Sequence, residues 1–333
     1  MFVRIRSFAG LAALGFATAV TGPAQAQDPV NLTIASFKSG SSWFVYSATI
    51  GEILRDALPA GSTIDTPPLG GGHANALLIS AGKADLALSH AMTNRWAAEG
   101  VVAYDAPIEN IRGLLGGLDT YYLSLTAAGA EPGTGVAEYF TEVNPDAVIG
   151  LNPPGSMATF AGELLLKEAG ASEEQLEATG GRYSYIPIPD TVAGFADGSI
   201  DATPQMITIG HPMITEVSQT ADVVQLVPSE ALLATMSEKY GFGSEVLPGG
   251  TFRGTDEDVT LPSTTTTLIA SADMPDDLAY AIVKALVENV DRLVAGHGAL
   301  ADFQPEKAWK PELVNIPLHP GAVRYFQERG WMD

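Results

Sequence analysis

Residues 30–58 read VNLTIASFKSGSSWFVYSATIGEILRDAL, and this stretch decides the fold class. The run from Val30 to Phe37 is predicted to be a strand. A loop of Ser and Gly follows, and Ser41 or Ser42 is a natural N-cap for a helix predicted from Trp43 to Leu58. A strand that ends in a Gly/Ser loop and leads into a helix is the unit from which open, mainly parallel α/β sheets are built.

Units of this kind recur along the chain. The predicted strands after the first are residues 62–67, 85–89, 147–151, 183–188, 199–204 and 222–227. The predicted helices after the first are residues 74–81, 157–169, 191–196 and 210–220. The alternation predicts an α/β protein with a mainly parallel sheet.

Two longer extended runs, Leu114 to Ala127 and Thr264 to Ala270, flank the second block of strands and helices. This arrangement predicts two lobes that are joined by two crossing strands. We place lobe 1 at residues 27–122 and 255–333, and lobe 2 at residues 123–254. The segment from Pro275 to Ala295 keeps apolar residues at helical spacing and is predicted to form a single helix.

The segment before residue 27 has the features of a secretory signal peptide (residues 1–26). Arg4 and Arg6 form a positive start, and Phe8 to Val20 is a run of 13 residues that are all apolar, Gly or Thr. Ala24-Gln25-Ala26 then places small residues where a signal peptidase cleaves. The apolar run is shorter than the about 20 residues of a membrane-spanning helix. We therefore expect cleavage after Ala26 and a periplasmic mature chain.

The composition excludes several classes of function. The 333 residues include 39 acidic and 17 basic side chains, for a net charge of −22. A chain this acidic repels phosphate backbones, so we expect no nucleic-acid partner. The absence of cysteine from the sequence excludes thiol catalysis, zinc-thiolate sites and disulfides.

Sequence motifs of enzymes are also missing. The chain has no G-x-S-x-G elbow, no H-E-x-x-H pair and no P-loop. The five histidines are far apart in sequence, at His73, His90, His211, His297 and His319. We therefore predict a binding protein and not an enzyme, with no catalytic residue, no metal and no cofactor.

Three loops at the starts of predicted helices point to a ligand. They are residues 39–42, 70–73 and 154–156, and all are rich in Ser and Gly. A helix start presents free backbone N–H groups and a partial positive charge, and small residues let an anion approach closely. In an open α/β sheet such loops share the edge at the carboxyl ends of the strands. For any one loop, ordinary turn and cap roles would also explain the composition.

Four segments resemble one family of transport proteins. They are the glycine-rich loop within residues 36–46, Gly155-Ser156, Gly198-Ser199-Ile200-Asp201-Ala202, and Pro317-Leu318-His319-Pro320-Gly321-Ala322 with Tyr325, Glu328 and Gly330. In these segments the chain is similar to the TAXI family (TRAP-associated extracytoplasmic immunogenic proteins), the solute-binding subunits of a class of tripartite ATP-independent periplasmic transporters. The resemblance covers essentially the whole mature chain.

The resemblance implies a type II periplasmic-binding-protein fold that closes on its ligand in a cleft between two lobes. It also implies an integral-membrane permease as partner, driven by an ion gradient without an ATPase. The family usually has Gly-Gly-Thr-Tyr where this chain has Gly40-Ser41-Ser42-Trp43. We expect the ligand to be a small organic anion: an amino acid such as glutamate, a 2-oxo acid or a dicarboxylate. We expect the protein to be a monomer.

The candidate ligand-binding residues lie in or beside the loops at the carboxyl ends of predicted strands. They are Ser36, Lys38, Ser39, Gly40, Ser41, Ser42, Trp43, Gly72, His73, Asn75, Ser89, His90, Pro154, Gly155, Ser156, Met157, Asp190, Thr191 and Gln205. Lys38 is the cation within the first loop and would pair with an acid group on the ligand. Arg95 and Arg182 are the next cations considered, and His319 is expected to fasten the C-terminal tail.

Several of these residues have an ordinary structural alternative. The serines of the first loop would serve as N-caps, Trp43 as a core residue, Ser89 with His90 as a satisfied buried pair, and Asp190 with Thr191 as helix caps. Two further functions also stay open: a binding module of a sensor or an ATP-driven (ABC) importer, and an exported hydrolase with Ser156 or Ser42 as nucleophile.

Overall fold

The computed structural model describes residues 28–39 and 41–332. The predicted signal peptide and Gly40, a candidate ligand residue, lie outside this described part. Within it, no helix has both the length and the apolar character needed to cross a membrane.

Eleven strands are described, and their residues are mostly buried. They are β1 (Asn31–Ala35), β2 (Thr63–Asp65), β3 (Leu86–His90), β4 (Ile111–Leu115), β5 (Thr120–Ala128), β6 (Val148–Leu151), β7 (Arg182–Tyr185), β8 (Ala202–Ile207), β9 (Val223–Gln225), β10 (Gly243–Leu247) and β11 (Val259–Ser271).

The described helices cover the sheet. They are α1 (Ser42–Ala57), α2 (Ala74–Ser80), α3 (Ala91–Glu99), α4 (Val136–Glu138), α5 (Met157–Glu168), α6 (Glu173–Glu177), α7 (Ile188–Asp197), α8 (Pro212–Thr220), α9 (Glu230–Tyr240), α10 (Asp276–Val287), α11 (Val290–Gly296), α12 (Pro311–Val314) and α13 (Pro320–Glu328). A π-helical turn, Tyr139–Val143, extends α4, and 3₁₀ turns lie at Gly298–Leu300 and Pro305–Lys307.

The strands follow the order β2-β1-β3-β11-β5-β8-β6-β7, with β4 and β10 also paired to β11 and β9 paired to β5. Strands β1, β2 and β3 are mutually parallel, as are β6, β7 and β8. These two parallel groups are the sheets of two lobes, as the sequence predicts. Strand β11 and the segment between β4 and β5 connect them.

Strand β11 changes partner along its length. Its first half, residues 259–265, pairs with β10 and β5, which belong to lobe 2. Its second half, residues 266–271, pairs with β3 and β4, which belong to lobe 1. The α/β fold with two lobes joined at two crossings is therefore confirmed: β11 is one crossing, and the passage from β4 into β5 is the other. The lobe boundaries at 122/123 and 254/255 stay proposals.

The predicted extended run from Leu114 to Ala127 is two strands, β4 and β5, and the single-strand prediction is wrong. The chain turns between these two strands at Gly116 and Gly117, and both positions favour glycine. At Gly116 a Cβ would lie 2.1 Å from the backbone oxygen of Leu313, and Gly117 has a φ of +70°. Only glycine adopts such a conformation without strain.

The predicted helix from Pro275 to Ala295 is also two helices, α10 and α11. In an unbroken helix the N–H of Asn289 would bond to the carbonyl of Ala285. Instead the side-chain Nδ2 of Asn289 donates to that carbonyl at 2.8 Å, and the N–H of Asn289 donates to Leu286. An Asn side chain that competes for a helix carbonyl favours a break in the helix.

A buried carboxylate fixes the place where the chain passes between the lobes. Asp119, just before β5, is 2% exposed. Its two oxygens accept hydrogen bonds from the N–H of Thr266 at 3.0 Å and from the hydroxyl of Tyr46 at 2.9 Å. Burial raises the pKa of the Asp119 carboxyl to about 6, although the hydrogen bonds from Thr266 and Tyr46 act to lower it.

We predict that Asp119 makes the folded state less stable as the pH rises from about 4 to about 6. The folded-state pKa lies above the ordinary value, so the protonated carboxyl favours folding and its ionisation opposes it. Asp119→Asn should remove this dependence, because an amide does not titrate in this range. Urea unfolding at pH 4, 5, 6 and 7 measures the effect.

The control for this prediction is Asp105→Asn, which removes the same charge from an exposed site. That variant should keep the pH profile of the parent chain between pH 4 and pH 7. An Asp119→Asn profile parallel to that of the parent chain would contradict the prediction.

Candidate functional site

The loop before α2 depends on three glycines. Gly70, Gly71 and Gly72 have φ angles of +84°, +102° and +52°, a left-handed run that other residues rarely adopt. At Gly71 a Cβ would lie 1.9 Å from the ring of Phe37, so the loop packs directly on that ring. The loop therefore lies against the segment that follows β1.

Asn75 holds this loop to the ends of two strands. Its side chain is fully buried and donates to the carbonyls of Ser36 at 2.8 Å and Leu88 at 2.6 Å. Its oxygen accepts from the N–H of Gly71 at 2.6 Å. These bonds use the amide within the protein, so Asn75 shapes the site in this structure and does not face a ligand, contrary to our expectation. Ser36 is likewise fully buried.

The first loop caps helix α1. The Ser41 hydroxyl accepts from the N–H of Phe44 at 3.2 Å and donates to the carbonyl of Lys38 at 2.8 Å. Ser41, and not Ser42, is thus the N-cap, and Ser42 begins the helix. Ser39 and Lys38 are exposed, and the ammonium of Lys38 lies 5.3 Å from the ring centroid of Phe37.

A cluster of three aromatic rings lies at the end of β3. The ring of His90 lies 4.6 Å from the ring of Trp43 and 5.0 Å from that of Tyr121, measured between centroids. Trp43 packs in the core of lobe 1, and its indole N–H donates to Thr266 at 2.9 Å. Burial lowers the pKa of the His90 imidazole to about 3, so the ring is neutral at physiological pH.

His90 and its neighbour differ in how their polar atoms are used. His90 is 6% exposed, and its Nδ1 is buried without a hydrogen-bond partner among the described residues. Ser89 is buried and its hydroxyl pairs with that of Thr93 at 3.0 Å. The Ser89 hydroxyl therefore has a hydrogen-bond partner within the protein, whereas one ring nitrogen of His90 has none among the described residues.

In lobe 2, a network of amides supports the start of α5. The Nδ2 of Asn152 donates to the Oε1 of Gln205 at 3.1 Å, and the Nε2 of Gln205 donates to the hydroxyl of Thr203 at 3.1 Å. Gln205 is 2% exposed, whereas Asn152 is half-buried. Gln205 therefore positions Asn152, which is the accessible member of the network.

Helix α5 begins without a side-chain cap from its own N-cap residue. Ser156 is the N-cap, and its hydroxyl lies 3.4 Å from the Nδ2 of Asn152 and makes no bond to an N–H of the first turn. Pro154 and Gly155 are exposed, and Ser156 and Met157 are half-buried. The first-turn N–H groups of α5 are thus available to an anion.

The two lobes meet where the glycine loop faces α5. A Cβ built on Gly72 would lie 3.5 Å from the terminal methyl of Met157. The ring of His73 lies 5.5 Å from that of Phe160 in α5 and 6.1 Å from that of Tyr104 in lobe 1. The structure therefore brings Gly72 and His73 together with Met157 across the cleft.

Two candidate ligand-binding residues lie at the start of α7, and only one of them is accessible to a ligand. Asp190 is exposed, but Thr191 is fully buried. A Cβ on Gly150 would lie 2.9 Å from the methyl of Thr191, so this side chain packs against β6. Thr191 is a core residue in this structure, and the expectation of a direct ligand contact is not met.

Two cations considered from the sequence have other roles. Arg95 donates to the last carbonyls of α9, at Ser237 and Glu238, and pairs with Glu99. Arg182 is exposed and begins β7, the last strand in the sheet order. His319 is fully buried, and its backbone N–H donates to the carbonyl of Gly113 in β4 at 2.8 Å. A role of His319 in fastening the C-terminal tail stays a prediction.

Helix α9 bonds to both lobes. The indole N–H of Trp96, in α3, donates to the carbonyl of Tyr240 at 2.8 Å. The hydroxyl of Tyr240 donates to Glu168, the last residue of α5, at 2.6 Å. A pocket of about 510 Å³ beside α9 is lined by residues of α4, α5 and α9, and none of the candidate ligand residues lines it.

Sequence reasoning missed Asn152, Phe160 and Tyr121. Asn152 is the first residue after β6, a position where a polar side chain reaches the sheet edge, and that signal was present in the sequence. Phe160 and Tyr121 reach the site from inside a helix and a strand, where an aromatic residue predicts only core packing. Among the described residues, no group of His, Asp and Glu could hold a metal ion.

Comparison with known proteins places the chain in a family. A model of the NMT1-like family matches residues 34–330. The chain belongs to the NMT1-like family. The narrower assignment to the TAXI proteins stays a prediction for this NMT1-like chain.

Solved structures share the fold of this NMT1-like chain. MatC (Rpa3494) from Rhodopseudomonas palustris with bound malate is 14% identical with a TM-score of 0.51, over 91% of this chain and 98% of that one. The periplasmic binding protein BugD is 15% identical with a TM-score of 0.50, over 91% and 95%. A TctC solute-binding protein from Polaromonas is 14% identical with a TM-score of 0.50, over 91% and 96%. At these identities the likeness shows the fold, which is that of periplasmic binding proteins.

We predict that Gly71→Ala lowers the free energy of unfolding by about 1–3 kcal/mol, because the residue has a left-handed φ and its Cβ would overlap Phe37. Gly298→Ala is the control, since a Cβ there meets no atom within 4 Å. Urea unfolding of both variants tests this. Equal midpoints for Gly71→Ala and the parent chain would show that the loop is not constrained as described.

Proposed function

We propose that this chain is an exported periplasmic solute-binding protein that captures a small organic anion and delivers it to a TRAP permease. The candidate anions are an amino acid such as glutamate, a 2-oxo acid or a dicarboxylate. The ligand would occupy the cleft between the lobes, and closure of the lobes about β11 would enclose it.

The observation that carries this proposal is the meeting of two helix-start loops from different lobes. Gly72 and His73, before α2, lie against Met157 and Phe160 of α5. Helix α5 has 12 residues and offers backbone N–H groups that its N-cap side chain does not use. Such donors stabilise a carboxylate at contact distance, where the net negative charge of the chain acts only weakly.

The fold supports the same function. Proteins with similar structures include one with bound malate and one described as a solute-binding protein, so the architecture is compatible with capture of a small acid. The resemblance of residues 317–330 to the terminal signature of TAXI proteins supports the choice of a TRAP permease. We propose that the protein is exported through its predicted signal peptide and acts as a monomer.

Two other functions compete with this proposal. A sensor subunit or an ABC importer component would use the same cleft, and uptake assays with the candidate permease separate these, since a TRAP system needs an ion gradient and no ATP. For the hydrolase, the hydroxyl of Ser156 has an amide neighbour, Asn152, and no imidazole partner among the described residues. Nucleophilic serines need a base within hydrogen-bond reach, so we favour the binding function.

We predict that at least one acid in a thermal-shift screen of amino acids, 2-oxo acids and dicarboxylates raises the melting temperature. Ligand at about 100 times its dissociation constant adds about 2.7 kcal/mol to the free energy of unfolding. Calorimetry then measures the affinity of the acid that binds. A screen in which no compound changes the melting temperature would count against the proposed function.

We also predict that Met157→Glu weakens binding of that acid by at least about tenfold, because the new carboxylate competes for the N–H groups at the start of α5. Val143→Glu is the control, since it adds the same charge at a site that is 40% exposed, in the π-helical turn that follows α4. If both variants bind the acid equally, the ligand does not use the start of α5.

A further inference from the structure

We infer, on the basis of the proposed function, that Thr266 is a positioning residue of the ligand site. Its hydroxyl holds the indole of Trp43, and with it the start of α1, at the point where β11 crosses between the lobes. The bond joins two residues that are 223 positions apart in the chain, so it is a product of the fold and not of a local motif.

Strand β11 carries four consecutive threonines at its crossing, residues 264–267. Buried strand positions are usually filled by Val, Ile or Leu, so four hydroxyls in such a place need hydrogen-bond partners. The partners are the N–H of Met92 for Thr264, the carbonyl of Leu313 for Thr265, the indole N–H of Trp43 for Thr266, and the amide of Asn94 with the carbonyl of Ser89 for Thr267. The run therefore fixes several segments of lobe 1 to the crossing strand.

Within this run, Thr266 is bonded to the helix that follows the first candidate loop. Its side chain is fully buried, and its Oγ1 accepts the indole N–H of Trp43 at 2.9 Å. Trp43 is the second residue of α1, whose N-cap is Ser41 of that loop. Because Trp43 is only 5% exposed, loss of the acceptor would leave a buried donor unpaired or force the indole to move.

A second connection joins Thr266 to the same helix. Its backbone N–H donates to Asp119, whose other carboxylate oxygen accepts the hydroxyl of Tyr46. Trp43 and Tyr46 are three residues apart and therefore lie on one face of α1. Helix α1 is thus held at two points of one face, and Thr266 takes part in both connections. Together they fix where the helix start lies relative to the crossing strand.

The same hydroxyl bears on the aromatic cluster at the end of β3. Thr266 pairs with His90 across the sheet, and the ring of His90 lies 4.6 Å from that of Trp43 between centroids. A shift of the indole would therefore displace the His90 ring as well as the start of α1. Two candidate parts of the ligand site depend on one hydroxyl that is itself buried beneath them.

Loss of this hydroxyl should weaken ligand binding and not only the fold. The free protein can relax around an unpaired donor by moving the indole, but the bound form needs the original arrangement. The energy needed to restore that arrangement is lost from binding, which is the cost of a site that is no longer preorganised. A residue that only stabilises the fold leaves the affinity of the folded protein unchanged.

The test is calorimetry on the chain without its predicted signal peptide. The probes are glutamate, 2-oxoglutarate and succinate, together with any other acid that raises the melting temperature in the screen. Thr266→Val keeps the shape of the side chain and removes the hydroxyl, so it should weaken binding of the acid at least about fivefold. Thr266→Ser keeps a hydroxyl and should restore most of the affinity.

Thr126→Val is the matched control. Thr126 is also fully buried in a strand, and its hydroxyl accepts a side-chain N–H, from Gln225 at 2.7 Å. It lies toward the end of β5 that is away from the crossing. This variant should lower the stability and leave the affinity unchanged. Equal weakening of binding by the two Val variants would overturn the inference, as would unchanged affinity in folded Thr266→Val.

Nuclear magnetic resonance gives a readout at the bond itself. The chain has four tryptophans and hence four indole N–H signals, and Trp43→Phe identifies the signal of Trp43. Thr266→Val should shift this signal and speed its exchange with water, whereas Thr126→Val should leave it in place. An unshifted Trp43 signal in Thr266→Val would contradict the inference.

Trp43→Phe also removes the bond from its other end and should weaken binding. Unchanged affinity in that variant would overturn the inference even if Thr266→Val does not fold. If no acid binds the parent chain, the proposed function falls and the inference falls with it. Binding by the parent chain that is indifferent to the Thr266 hydroxyl overturns the inference alone.

Discussion

The two lobes depend on one strand that is hydrogen-bonded to both. Strand β11 has 13 residues, and its partners change from β5 and β10 to β3 and β4 near Thr266. At that residue Asp119 accepts the backbone N–H, and Tyr46 of α1 holds the other carboxylate oxygen. The crossing point is therefore fixed by a buried acid, and bending between the lobes must be taken up by the residues on either side of it.

The regular parts of the fold were predictable because each is specified locally. The segment from Val30 to Leu58 carries its own strand pattern, N-cap and helix pattern, and the structure has β1 and α1 there. The errors came from contacts between distant parts of the chain. The turn at Gly116 is needed because Leu313 packs against it, and no local pattern shows which residue will lie there.

The candidate site was predictable as a set of loops and less so as a set of side chains. The sequence indicated which loops follow strands and begin helices, and loops of the two lobes do meet at Gly72 and Met157. It did not indicate that the amide of Asn75 bonds entirely within the protein, since its partners are carbonyls of residues far away in sequence. Asn75, Thr191 and Gln205 each serve to position neighbouring segments, and a polar residue type alone does not distinguish that role from ligand contact.

The hydrogen bonds of α9 bear on where the two lobes would separate. This helix is bonded to α3 through Trp96 and to the last residue of α5 through Tyr240, so opening that keeps both bonds leaves the lobes linked beside α9. Opening of that kind would be greatest where the glycine loop meets the start of α5. A membrane protein that distinguishes the occupied from the empty form would then contact the rim between the glycine loop and the start of α5, where such opening would change the surface most.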